Sequence, residues 1–213
     1  MESAQEKYIL HHSDIPDPAL EWVEKQTHIR TNYPRMLSGA IQGEFLMLLS
    51  KICKAKSILE IGCFTGYSTI CLAKGLSENG HIDSLEINDE LEDLIREGWE
   101  RAGISDRAEL HIGDALTTLN RFSLEGRKYD LVYIDANKRE YLDYYIALKP
   151  LLHSGSLVLA DDVMLGAKVY ECPDTSDKQT RGLIKFNEYV KKDPEVEIVM
   201  LPIRDGLSII RVI

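Results

Sequence analysis

The chain has 213 residues, 44% of them hydrophobic and 28% charged, enough for one well-buried domain spanning residues 1–213. Its formal charge of −10 argues against a protein whose main affinity is for nucleic-acid phosphates, because that affinity is built from lysine and arginine. The start lacks a cationic run followed by an apolar core, no stretch reads as a membrane span, and the four cysteines lack C-x-x-C spacing, so a reduced, cytoplasmic setting without membrane partners is expected.

Residues 1–35 are polar and irregular, with one helix expected from Pro18 to His28, and read as a cap over the domain. A helix from about Gly43 to Lys54 carries Phe45, Leu46, Leu48, Leu49 and Ile52 on a broad apolar face. Strands are then expected near 57–61, 82–86, 108–112, 130–134 and 156–160, alternating with helices near 67–77, 89–102, 115–122 and 140–149. That alternation implies an α/β fold with a parallel sheet and right-handed crossovers. Two last runs, Glu197–Leu201 and Leu207–Val212, are joined by only Pro202 to Gly206, too short for a parallel crossover, so they run antiparallel.

Within this pattern Ile58-Leu59-Glu60-Ile61 runs into the glycine-broken Gly62-Cys63-Phe64-Thr65-Gly66, and Ser68 to Ala73 follows at helical spacing. Such a turn lets backbone approach a ligand, and the helix start favours polar ligand atoms. Glu86 ends the second strand about 20 residues after Gly66, where a doubly wound sheet holds ribose hydroxyls, so a nucleoside derivative is implied. The turn lacks the G-x-G-x-x-G that brings backbone against a pyrophosphate. Glu60, two residues before Gly62, is expected to point at the crevice and to suit a cationic or hydroxylated group.

Residues just beyond the other strands are also candidates, because ligands of open α/β sheets lie outside the carboxyl ends. Asp135 follows Leu131–Ile134, and Asp161 and Asp162 follow Leu157–Ala160. Three converging carboxylates repel one another unless a cation sits among them, and an all-oxygen set suits Mg²⁺, with Mn²⁺ or Ca²⁺ as alternatives. Each acid could instead cap the segment that follows it. Lys138 lies one helical turn after Asp135, and partial desolvation beside a metal can lower a lysine's pKa far enough for it to serve as a general base. A solvated charge is the plainer alternative. The six histidines show no ligand spacing and receive no role.

The stretch Glu60-Ile61-Gly62-Cys63-Phe64-Thr65-Gly66-Tyr67-Ser68 resembles the first motif of class I S-adenosylmethionine-dependent methyltransferases, in the form of the catechol and caffeoyl-CoA O-methyltransferase branch. The commonest version of that motif has glycine at the position of Phe64. Asp135-Ala136-Asn137-Lys138-Arg139-Glu140-Tyr141 is similar to the branch's segment in which the Asp is a metal ligand near the methyl donor and the Lys removes a phenolic proton. Two departures stand out: Asn137 where the family usually has Asp, and Asp162 where it usually has Asn, which adds a negative charge. The resemblance extends to Met36-Leu37-Ser38, to Gly113-Asp114-Ala115-Leu116 and to the hairpin Pro202 to Leu207.

What the resemblance implies is a Rossmann-like seven-stranded methyltransferase sheet, mostly parallel with an antiparallel last strand and helices on both faces. It implies donor contacts from Met36, Ser38, Asp135 and Tyr144, a methionine and ribose side shaped by Glu60, Gly62 and Ser68, ribose hydroxyls on Glu86, and adenine beside Asp114 and Ala115. Asp135, Asp161 and Asp162 would hold the cation and Lys138 would accept the proton of a small phenolic diol. S-adenosylhomocysteine would be the product, and a homodimer is expected. Rival readings are a nicotinamide-dependent oxidoreductase on the same sheet and a non-catalytic S-adenosylmethionine-binding protein. Acceptor choice is assigned to the cap and to the loop from Val163 to Lys178.

Overall fold

The computed structural model describes residues 4–14, 17–172 and 176–213. Two helices, α1 (Ala4–His11) and α2 (Pro18–Arg30), precede α3 (Ala40–Cys53). Then come β1 (Ser57–Ile61), α4 (Tyr67–Gly75), β2 (His81–Glu86), α5 (Glu92–Ala102), β3 (Ala108–Ile112), α6 (Ala115–Leu124), β4 (Leu131–Ile134), α7 (Tyr141–Leu148) and β5 (Leu157–Ala160). The chain closes with α8 (Lys168–Glu171), α9 (Lys178–Lys192), β6 (Val196–Leu201) and β7 (Leu207–Val212).

The seven strands form one sheet in the order β3-β2-β1-β4-β5-β7-β6, with β7 antiparallel to both its neighbours and the other pairs parallel. Chain order reverses between β1 and β4, which makes their carboxyl ends the switch point where a crevice opens. Register carries the candidate residues to one edge. Ile61 pairs with both Leu85 and Ile134, and Ile134 pairs with Ala160, so Gly62, Glu86, Asp135 and Asp161 all emerge at the same level.

Strand residues alternate between two cores. Ile58, Leu131 and Tyr133 pack on one face with α2, α3, α4 and α5, while Leu59, Ile61, Val132 and Ile134 pack on the other with α6, α7 and α9. Each fully buried Leu or Ile contributes about 1.5–3 kcal/mol relative to exposure. β-branched and aliphatic side chains fit such a doubly covered sheet.

Three features depart from expectation. First, α9 occupies a stretch beyond Lys178 for which no element was expected; Leu183, Phe186 and Val190 at helical spacing bury against the second core, and Asp177 caps its start by accepting from Gln179 N at 3.1 Å. Second, α3 begins at Ala40, and only part of its expected apolar face is buried: Leu46 is buried and Phe45 and Leu49 pack against the first core, whereas Leu48 and Ile52 are exposed and Gln42, Gly43 and Ser50 also pack inward. Small residues win there because α3 lies close against α4. Third, Pro34–Cys53 has the length and mean hydropathy, 1.2, of a membrane span. In this fold the stretch is a 3-10 turn, Pro34–Met36, separated by Gly39 from a helix that packs against α4.

Candidate functional site

A cavity of about 560 Å³ opens beyond the carboxyl ends of β1, β2 and β4. Gly62 forms its floor with φ +88°; a β-carbon at this position would lie 2.3 Å from the carbonyl oxygen of Asp135, so only glycine lets the first turn and the end of β4 meet. Backbone bonds continue past the strand ends, from Gly62 N to Leu85 O at 2.9 Å and from Asp135 N to Ile61 O at 2.9 Å. Phe64 also lines the cavity and sits at φ +50°, the left-handed region that glycine adopts freely.

On the β2 side Glu86 accepts from Phe64 N at 2.7 Å and from Ile87 N and Asn88 N at 3.0 Å each. Burial raises its pKa and the three amides partly offset this. Met36, Asp114, Ala115 and Tyr144 line the same cavity. Asp114 caps α6, accepting from Thr117 N at 2.8 Å, and the Tyr144 hydroxyl donates to Glu140 at 2.6 Å.

Glu60 is a correction. It does not reach the cavity but is fully buried behind it, accepting from Ser68 Oγ at 2.5 Å, Thr69 Oγ1, and Ser84 Oγ at 2.8 Å. Burial pushes its pKa up to about 7 against these hydrogen bonds. Ser68 and Ser38 are likewise absent from the cavity wall; Ser68 is occupied by Glu60, and the Ser38 carbonyl accepts from Arg204. All three shape the wall from behind it.

At the β4 and β5 ends, Lys138 Nζ lies 2.7 Å from Asp135 Oδ1 and 3.2 Å from Asp162 Oδ2, and all three residues line the cavity. Asp162 adopts φ +54°, which short polar side chains tolerate. Asp161 stands behind: Oδ2 accepts from Gln42 Nε2 at 2.5 Å and Tyr133 OH at 2.9 Å, and Oδ1 accepts from Asp162 N at 2.9 Å. Burial, with the charges of Asp135 and Asp162, raises its pKa to about 6. The short helical turn bearing Lys138 rests on α9, where a β-carbon on Gly182 would lie 2.5 Å from the Lys138 carbonyl.

The lowering of the Lys138 pKa expected beside a metal depends on a cation drawing off the carboxylates around it. With the two carboxylates facing it, burial opposes its charge, but Tyr141, Asp135 and Asp162 outweigh burial and raise the pKa, which favours the ammonium. Burial favours neutral Asp135, yet with that ammonium at 2.7 Å the pair is ionic.

Two aspartates therefore converge on one positive charge, an all-oxygen arrangement whose chemistry fits a hard divalent cation. Asp161 is the third expected ligand, but its oxygens are engaged elsewhere in this arrangement. Among the described residues, the group whose metal-ligating atoms all lie within 4.8 Å is a different one, His81, Asp83 and Glu109, away from the cavity. There Asp83 Oδ1 already lies 2.9 Å from Arg127 Nη1 and 2.7 Å from His111 Nε2. A guanidinium on the same oxygen makes this an ion-paired buttress between β2 and β3. His81 and His111 thus have structural partners that isolated sequence positions do not reveal.

Sequence reasoning missed other cavity residues. Ile87 is a largely exposed apolar side chain directly after the strand-end acid, an available signal. Gln179 required α9 to be recognised, and Gln42 and Tyr133 join Asp161 only through the fold.

A glycine turn pressed on the end of β4, an acid at the tip of β2 and a cavity at the switch point are the ground plan of a class I S-adenosylmethionine-dependent methyltransferase. The comparisons narrow this. Residues 11–213 match the O-methyltransferase family model, and the chain belongs to that family. A caffeoyl-CoA O-methyltransferase from Eucalyptus gunnii is 32% identical, covering 96% of this chain and 86% of the relative. An O-methyltransferase from Bacillus cereus, solved in complex with S-adenosylhomocysteine, superposes with TM-score 0.93 at 31% identity over 99% of this chain and 98% of that one. TomG from Streptomyces achromogenes, involved in tomaymycin synthesis and solved with S-adenosylmethionine, gives TM-score 0.91 at 28% identity over 99% and 96%.

Proposed function

We propose that this O-methyltransferase moves the sulfonium methyl of S-adenosylmethionine to a phenolic oxygen of a small catechol-like vicinal diol, using a divalent cation, Mg²⁺ first among candidates. The observation that carries this reading is the convergence of Asp135 and Asp162 on Lys138 at the cavity edge, one peptide away from the Gly62 floor. The donor would lie over Gly62 with its ribose on Glu86 and its adenine between Met36, Ile87 and Ala115.

Asp135 and Asp162 would hold the cation, with Asp161 as a third ligand only if its carboxylate turned from Gln42 and Tyr133. Such a cation supplies Lewis-acid charge that lowers a phenol's pKa. Lys138 orients against both aspartates and, once their charge is taken up elsewhere, can shed its own proton and accept one from the phenol. Asp135 and Gly62, locked to each other through the backbone, fix the distance between acceptor and donor, and such positioning supplies much of the rate of an in-line displacement. A homodimeric state is supported by the family resemblance alone, and a cytoplasmic setting by the cysteine usage of the sequence.

The test is methyl transfer from S-adenosylmethionine to caffeic acid with Mg²⁺ and again with excess EDTA. Product that vanishes with EDTA supports donor, metal and acceptor class together. Donor binding with no product from a panel of diols would remove the diol model.

A further inference from the structure

The hairpin turn Pro202–Gly206 touches the site from the far end of the chain. Arg204 holds φ +48° there, a left-handed conformation that costs a long side chain energy and costs glycine none. Its guanidinium Nη1 donates to the carbonyls of Leu37, at 2.7 Å, and Ser38. The same turn accepts from the loop that follows Asp162: Val163 N donates to Gly206 O at 3.1 Å and Met164 N to Asp205 O at 2.8 Å. One five-residue turn thus grips both the segment that brings Met36 to the cavity and the loop that carries the acids. A tight hairpin turn calls for a left-handed residue, for which glycine or asparagine is the easy choice; an arginine kept there is the kind of strain found at functional clamps.

We propose that Arg204 is a positioning residue that seats Met36 to Ser38 against the methyl donor. The inference rests on the reading that the cavity takes S-adenosylmethionine. Two charge-assisted bonds from one guanidinium hold adjacent carbonyls in a fixed orientation, so the wall facing the donor is set before the donor arrives. A purely structural arginine makes the opposite demand on one variant. Arg204→Gly removes the clamp and also relieves the left-handed strain, so stability is kept while donor affinity falls.

The experiment is calorimetric titration of the full chain with S-adenosylhomocysteine, alongside thermal unfolding, for Arg204→Gly, Arg204→Lys and Glu86→Ala. Arg204→Gly is expected to raise the Kd about 5- to 20-fold with Tm within about 2 °C of the parent, and to raise the donor KM by the same factor while kcat at saturating donor stays within about twofold. Arg204→Lys, keeping a point charge without the fork, is expected to fall between the two. Binding by Arg204→Gly within about twofold of the parent overturns the proposal, as does a lowered Tm with donor KM unchanged. If Glu86→Ala also binds like the parent, the donor-site reading itself is what has failed.

Discussion

The two halves of the cavity satisfy their carboxylates in opposite ways. On the donor side, Glu86 is met by three backbone amides and Glu60 by three hydroxyls, so each acid has its oxygens satisfied by neutral donors of its own neighbourhood. On the acid side, Asp135 and Asp162 face each other across a lysine. Neutral donors leave a wall whose geometry does not depend on what is bound, whereas opposed charges leave a place that responds to any cation or proton. The donor half is built as a mould and the acid half as a charge balance.

That contrast is most directly broken at Lys138. Lys138→Ala is expected to lower kcat by about 10²–10⁴-fold while S-adenosylhomocysteine affinity stays within about threefold, read by single-turnover rates and calorimetry. Turnover that survives unchanged removes Lys138 from the chemistry.

Glu60 tests the mould. Its folded pKa of about 7 lies above the unfolded value of 4.5, so the native state holds a proton that the unfolded chain releases. Stability is therefore fully present below pH 4.5 and falls as pH rises through 7, by up to about 3 kcal/mol from this group. Urea midpoints across that range should flatten in Glu60→Gln; an unaltered pH slope would show that Glu60 is not the source.

Gly182→Ala disturbs the acid half from behind, since a β-carbon there meets the Lys138 carbonyl at 2.5 Å. A loss of about 1–3 kcal/mol in stability is expected, with kcat reduced and donor affinity kept. The smallest effect belongs to Asp162→Asn. Asparagine tolerates the same left-handed backbone, so the fold should hold, while the Mg²⁺ concentration for half-maximal activity rises several-fold, about 1 kcal/mol. Identical Mg²⁺ curves would place the cation elsewhere.

The alternation of apolar runs was enough to place every strand within a residue or so and to infer the reversed last strand from a link too short for a crossover. The glycine turn, Glu86, Asp135, Lys138 and Asp162 were legible because strand ends mark the crevice in this class of sheet. These features depend on local pattern and chain order, which a sequence displays directly. The direction of a buried side chain does not. Glu60 turned away from the cavity because three hydroxyls from α4 and β2 converge on it, and Asp161 because Gln42 and Tyr133 hold it from α3 and β4. The Lys138 pKa is raised because Tyr141 and two carboxylates from different strand ends outweigh burial. Asp161 with Gln42 and Tyr133, Glu60 with Ser84, and Lys138 with Asp162 are pairs whose distances, unlike hydrophobic period, exist only once the chain has folded.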